Sequence, residues 1–212
     1  RQEVDRIRDG KSFTTRRVNA IQNGEAIFSC SISFQKREKG LNHQIEMPDI
    51  PGPEKLKSDA ELRKNLKTKI PKKYLPMWLR EREIETRQVE HVDLLKAEKL
   101  PPYRSAWMKP TGKLPTNERI HQALLLYVSD MGLLGAAINP HEVNFMSKNF
   151  QSASLDHVMW FHGKVNFNNW VLHQMHSPIS SNARGFSRGS IYTKAGKLIA
   201  STAQEGLMRV WE

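Results

Sequence analysis

Residues 25–35 read Glu-Ala-Ile-Phe-Ser-Cys-Ser-Ile-Ser-Phe-Gln. Ala26, Phe28, Cys30, Ile32 and Phe34 alternate with mostly polar neighbours, the period-two pattern of a strand with one buried face. Asn23-Gly24 comes just before. Both residues tolerate positive φ, so the pair predicts a type I′ turn. Residues 13–22 (FTTRRVNAIQ) are β-branched enough to be the partner strand. The same unit recurs near the other end: a strand over 185–194, a turn at Ala195-Gly196 and a return strand over 197–210. Setting Gly24 against Gly196 aligns Arg16 with Arg188, Ser29 with Ser201 and Ile32 with Gln204. Identity between the copies is weak, but hairpin, turn and strand lengths agree, which reads as an internal duplication.

More structure precedes the second copy. Strands are predicted over 87–97 and 103–109, then again over about 152–164 and 168–178. Between the two pairs, Thr116 and Asn117 offer an N-cap, and 118–137 (ERIHQALLLYVSDMGLLGAA) carry a helical pattern that stops before Asn139-Pro140. Ile120, Ala123, Leu124, Tyr127, Met131 and Leu134 mark its apolar face. The domain reading follows: 1–35 as the last hairpin of a first repeat, 36–86 as a proline-punctuated linker with a short charged helix near 57–69, and 87–212 as a complete second repeat. Equal copies would leave roughly 80–90 residues of the first repeat upstream of Arg1. The first repeat is therefore expected to be truncated.

Composition narrows the function classes. A single cysteine, Cys30, excludes an internal disulfide and a Cys-based zinc site. No histidine pair has a zinc spacing, so no metal and no cofactor is expected. No apolar run approaches the roughly 18–20 residues of a membrane span. The net charge of +11 first suggests nucleic acid. Its spread is diffuse, with lysines gathered in 55–73, and a basic surface suits an anionic small molecule equally well.

Three residues point to chemistry. Asp130 lies in the apolar helical run with Leu126, Tyr127, Leu133 and Leu134 at i±3 and i±4. A carboxylate there is costly unless hydrogen-bonded or neutral, and so is a candidate base. Gln204 falls on the same strand face as Leu198, Ala200, Thr202 and Met208, and a buried amide needs partners at both ends. Ser152, Ser154, Asp156 and His162 invite a serine-triad reading, which the lack of a G-x-S-x-G elbow argues against. Gly132 and Gly135 would let another backbone approach the helix.

Taken together, SLDHVMWFH (154–162), ARGFSRG (183–189), STAQEGLMR (201–209) and YVSDMGLLGAA (127–137) with NPH (139–141) resemble the C-terminal half of type II acyl-CoA thioesterases, the bacterial and peroxisomal type. DGKSFTTRRVNAIQNGEAIF (9–28) resembles the last hairpin of that family's first repeat. The resemblance implies an α+β double hotdog, antiparallel sheets each wrapped on a central helix. It implies a catalytic set of Asp130, Ser154 and Gln204, with Asp156 outside it. The implied reaction is hydrolysis of acyl-CoA by activated water. A hotdog dehydratase, or a non-catalytic acyl-CoA- or RNA-binding fragment, is the alternative. The expected partner is the acyl-CoA substrate; a homo-oligomer is expected and nucleic acid is not. The compartment would be cytoplasmic in a bacterium and peroxisomal in a eukaryote.

Overall fold

A computed structural model of the chain describes residues 1–211 other than His91 and Leu94, and resolves two compact units, 1–43 and 44–212. The first unit is an antiparallel sheet of β1 (Gln2–Asp9), β2 (Phe13–Gln22) and β3 (Glu25–Gln35) in the order β1-β2-β3. Asn23 and Gly24 both take positive φ, 53° and 86°, as the expected turn requires. β1 was not legible: its charged residues mask any alternation. The half-buried reading of β3 is corrected. Ile27, Phe28, Ile32 and Phe34 are all exposed and Cys30 only half-buried, because three strands alone put no second layer on either face.

The second unit begins with a segment that includes α1 (Asp59–Leu66), where Ser58 and Glu61 form a capping box, and α2 (Leu75–Trp78). β4 (Ile84–Gln88) and β5 (Tyr103–Pro110) follow. The strand expected over 87–97 thus starts earlier and stops at Gln88; His91 and Leu94 lie outside the described residues. Glu90 explains the stop. Its carboxylate takes the Ser105 N–H at 2.5 Å, in place of a backbone carbonyl. The expected single helix is two: α3 (Glu118–Ser129) and α4 (Leu133–Ile138). Gly132 breaks it with φ 93°, a conformation other residues rarely adopt. Then come β6 (Phe150–Ser154), β7 (Val158–Phe161), β8 (Val171–Ser181), β9 (Arg184–Thr193) and β10 (Leu198–Val210).

The sheet runs β4-β5-β8-β9-β10-β6, antiparallel throughout, with β7 also on β10. α3 and α4 pack on one face. Leu125, Val128, Leu133 and Ala136 meet Ala106, Met108, Val171, Met175, Ile191 and Ala200 in one buried cluster. The other face carries Trp107, Leu172 and Tyr192, packed against Met47, Ile50 and Leu56 from the linker. Trp107 Nε1 donates to the Pro51 carbonyl at 2.9 Å. The proline-rich segment is thus a cover for the sheet as well as a connection. Among the described residues, Glu118–Ile138 is long and apolar enough to cross a membrane by length and composition. Half of it is buried in this fold, where it serves as the core helix.

The helix face also differs from its sequence reading. His121, Leu125 and Val128 point into the core, while Ile120, Tyr127 and Met131 are exposed. Residues 123–128 are apolar almost all round, so periodicity admits two faces. The buried one accepts a histidine because Phe167 N donates to His121 Nδ1 at 3.1 Å. Gly135 makes room for the Arg104 guanidinium, not for a backbone. Gly189 has a larger part: a Cβ there would collide with both His173 and Thr202, themselves buried. Gly189→Ala is expected to destabilise the protein by about 1–3 kcal/mol. Urea unfolding would measure this, and an unchanged midpoint would contradict it.

Candidate active site

Asp130, Ser154 and Gln204 converge. Asp130 caps the C-terminal end of α3. Ser154, the last residue of β6, donates from Oγ to Asp130 Oδ1 at 2.9 Å. Gln204, in the middle of β10, donates from Nε2 to the same oxygen. Gln204 is 2% exposed, whereas Asp130 and Ser154 are open to solvent. An enclosing apolar site for Asp130 is therefore not met within this chain. Leu133 and Leu134 are buried, but Leu126 and Tyr127 are 44% and 64% exposed, because α3 turns its other side to the sheet.

Local irregularities build this cluster. β10 alternates strictly from Ala200 onward: Ala200, Thr202, Gln204, Gly206 and Met208 are buried. Leu198 does not share that face. A register shift between Leu198 and Ala200 sends Ile199 into the core and leaves Leu198 against the outer cluster. The second hairpin also turns over three residues, Lys194 to Gly196, with Thr193 N donating to Lys197 O at 2.8 Å. The strand expected over 152–164 is broken as well. Ser154 pairs with Gly206 and Val158 with Ala203, so the outer strand spends one residue more than β10 between those pairs. Leu155 N and Asp156 N both reach the Glu205 carbonyl, at 2.9 and 3.4 Å. This bulge inverts the facing pattern, so Ser154 and His157, three apart, both reach the end of α3.

His157 was not singled out by its sequence. Its Nε2 lies 2.8 Å from Ser129 Oγ, next to Asp130. Burial lowers its pKa, against the opposing pull of Asp130, Asp156 and the Gln204 amide. The triad-like residues do not assemble. Asp156 Oδ1 accepts from Glu205 N at 2.7 Å, and His162 Nε2 pairs with Ser201 Oγ at 2.8 Å.

Deeper in, His173 is fully buried, with Nε2 3.4 Å from Thr202 Oγ1. Burial, reinforced by His157, pushes its pKa down to about 3. The unfolded chain then binds the proton more readily than the folded one. Stability carried by neutral His173 is full above the ordinary value near 6.5 and is lost as pH falls toward 3. The loss at pH 4 is expected to be roughly 3 kcal/mol. Thermal unfolding of wild type and His173→Phe between pH 7 and 4 checks this: the wild type should lose the greater part, and parallel curves would contradict it.

A curved antiparallel sheet with a broken helix on one face is a hotdog-type α+β fold, and a carboxylate, a hydroxyl and an amide gather at its helix break as the candidate site. Similar structures carry the same fold. A protein of unknown function with hot dog fold from Alicyclobacillus acidocaldarius superposes with TM-score 0.72 at 16% identity, covering 100% of this chain and 73% of that one. The acyl-CoA thioesterase II TesB2 of Mycobacterium marinum superposes with TM-score 0.79 at 34% identity, covering 100% of this chain and 74% of its own. Acyl-CoA thioesterase 2 of Haemophilus influenzae is 34% identical over 210 residues, 99% of this chain and 73% of that protein. The acyl-CoA thioesterase family model matches residues 78–207. The chain belongs to the acyl-CoA thioesterase family.

Proposed function

We propose that this chain hydrolyses acyl-CoA to free acid and CoA by attack of a water that Asp130 deprotonates. The observation that carries the reading is the convergence of Ser154 and Gln204 on one oxygen of Asp130. Two donors fix that carboxylate, leaving Oδ2 as the oxygen we assign to the water's proton. The water adds to the thioester carbonyl carbon and its proton passes to Asp130. The tetrahedral intermediate collapses with cleavage of the C–S bond, and CoA leaves as the thiolate. By fixing the carboxylate, Ser154 and Gln204 set the water in line with the carbonyl, where a fixed geometry is worth most. Family membership sets this reading above a dehydratase or a nucleic-acid-binding module. Thiol release from acyl-CoAs of several chain lengths tests it; no release at any length overturns it.

We also infer self-association through the surface beside the site. Tyr127 on α3, Met131 in the turn after it, and Leu155 and Val158 beside Ser154 are all exposed apolar side chains. Light scattering should give a mass above that of one chain, and Tyr127→Lys should lower it. A monomer at micromolar concentration would refute this.

A further inference from the structure

Gln204 uses one end of its amide on Asp130. The other end, Oε1, is buried and has no hydrogen-bond partner among the described residues. Directly opposite Gln204 in the β9–β10 ladder stands Ser187, whose Oγ is buried and equally without a partner. Both side chains lie on the helix side of the sheet, Ser187 at 1% and Gln204 at 2% exposure. Two polar atoms buried in this way are costly unless something bonds them. The next pair on that face is Thr202 opposite Gly189. Thr202 Oγ1 and His173 Nε2 fill the space that a side chain at 189 would take, so the layer beside Ser187 and Gln204 is polar as well.

From this arrangement we propose that one buried water joins Ser187 Oγ to Gln204 Oε1, which makes Ser187 a positioning residue for hydrolysis. The inference rests on the hydrolytic reading of Asp130 and Gln204. Opposite residues of an antiparallel pair lie about 4.5–5.5 Å apart, a gap that one water spans where a short side chain cannot. The hydrogens also count correctly. Oε1 can only accept, so the water donates to it. Ser187 gives its own hydroxyl hydrogen to the water oxygen. The second hydrogen of the water goes to Thr202 Oγ1, and three bonds is the usual number for a buried water.

The need for such an anchor arises in the reaction itself. Asp130 is open to solvent, so a Gln204 held by Nε2 alone would move with a carboxylate that nothing encloses. Held at both ends, the amide becomes a fixed point, and Asp130 is positioned from the interior of the sheet. When Asp130 takes the proton of the attacking water, its charge is lost and its bond to Nε2 weakens. The buried water still holds Oε1 at that moment. The amide is then in place for the next turnover.

The test is a high-resolution crystal structure of the wild type, with kinetics for Ser187→Ala and Ser187→Cys, alone and combined with Gln204→Met. Electron density should show a water within hydrogen-bond distance of Ser187 Oγ and Gln204 Oε1. Each single Ser187 variant should lower kcat about 10-fold, with KM for acyl-CoA little changed. Cysteine fills the place of serine but is a weak donor, so it separates the hydrogen bond from packing. It also keeps the comparison if the alanine variant fails to fold. In the Gln204→Met background, Ser187→Ala should cost no further rate, since its effect passes through the amide. A direct bond between Ser187 and Gln204, density without a water between them, or losses that multiply overturn the proposal. A slow Gln204→Met beside Ser187 variants as fast as wild type removes this proposal alone. A fast Gln204→Met removes the active-site reading and this inference with it.

Discussion

Asp130→Asn is expected to lower kcat by roughly 10²- to 10⁴-fold, the usual contribution of a general base. The substitution is nearly isosteric. The amide oxygen can still accept from Ser154, so the local hydrogen bonding is largely kept. What is lost is the ability to take a proton from water. The variant should bind substrate about as well as wild type, because Asp130 gains its partner proton only as the reaction proceeds. It should also fold normally: Asp130 is open to solvent at the end of α3, so no buried charge is created or abandoned. The measurement is steady-state thiol release alongside a melting curve. An Asp130→Asn variant with wild-type kcat would exclude Asp130 as the base. A collapse in melting temperature would reassign it to structure.

Gln204→Ala is the second large effect, expected at about 100-fold in kcat. Here activity and stability part in a different way. Gln204 lies 2% exposed on the inward face of β10, and its Nε2 is one of two donors to Asp130 Oδ1. Truncation frees the carboxylate to rotate about its remaining partner, Ser154, and leaves space in the sheet-helix layer. A stability cost is also expected, because the buried side chain fills volume between β10 and α3. Gln204→Met, which keeps the volume without the amide, should restore most of the stability and none of the rate. If Gln204→Met were active, the amide would have no part in positioning the water.

How much of this was legible in the chain can be judged residue by residue. Gln204 was legible because a strand's period of two is rigid: an amide in line with Ala200, Thr202 and Met208 must share their face. Leu198 was misplaced by the same rule, since a one-residue register shift lies between it and Ala200 and leaves no mark in composition. Asp130 stood out in the helical pattern, but the buried side of α3 did not, because a run such as 123–128 has no polar side to exclude. Its true inward face includes His121, which only a backbone N–H from Phe167 makes tolerable. The break at Gly132 was hidden because a helical pattern tolerates a lone glycine. Ser154 came from family resemblance and not from spacing. The register that turns it toward Asp130 depends on pairing with Gly206 of β10, a contact some fifty residues away in the chain. His157 was missed for the same reason: on an unbroken strand it would face away from Ser154.

In the proposed reaction water, placed by Asp130, Ser154 and Gln204, attacks the thioester directly. Single-turnover hydrolysis of an acyl-CoA in ¹⁸O-water, with protein in excess, tests it most directly. The predicted result is a fatty acid that carries ¹⁸O in the first turnover, with no acyl mass on the intact protein at any time. An unlabelled acid with the isotope in Asp130, or an acyl group trapped on Ser154, would contradict it and make one of these residues the nucleophile.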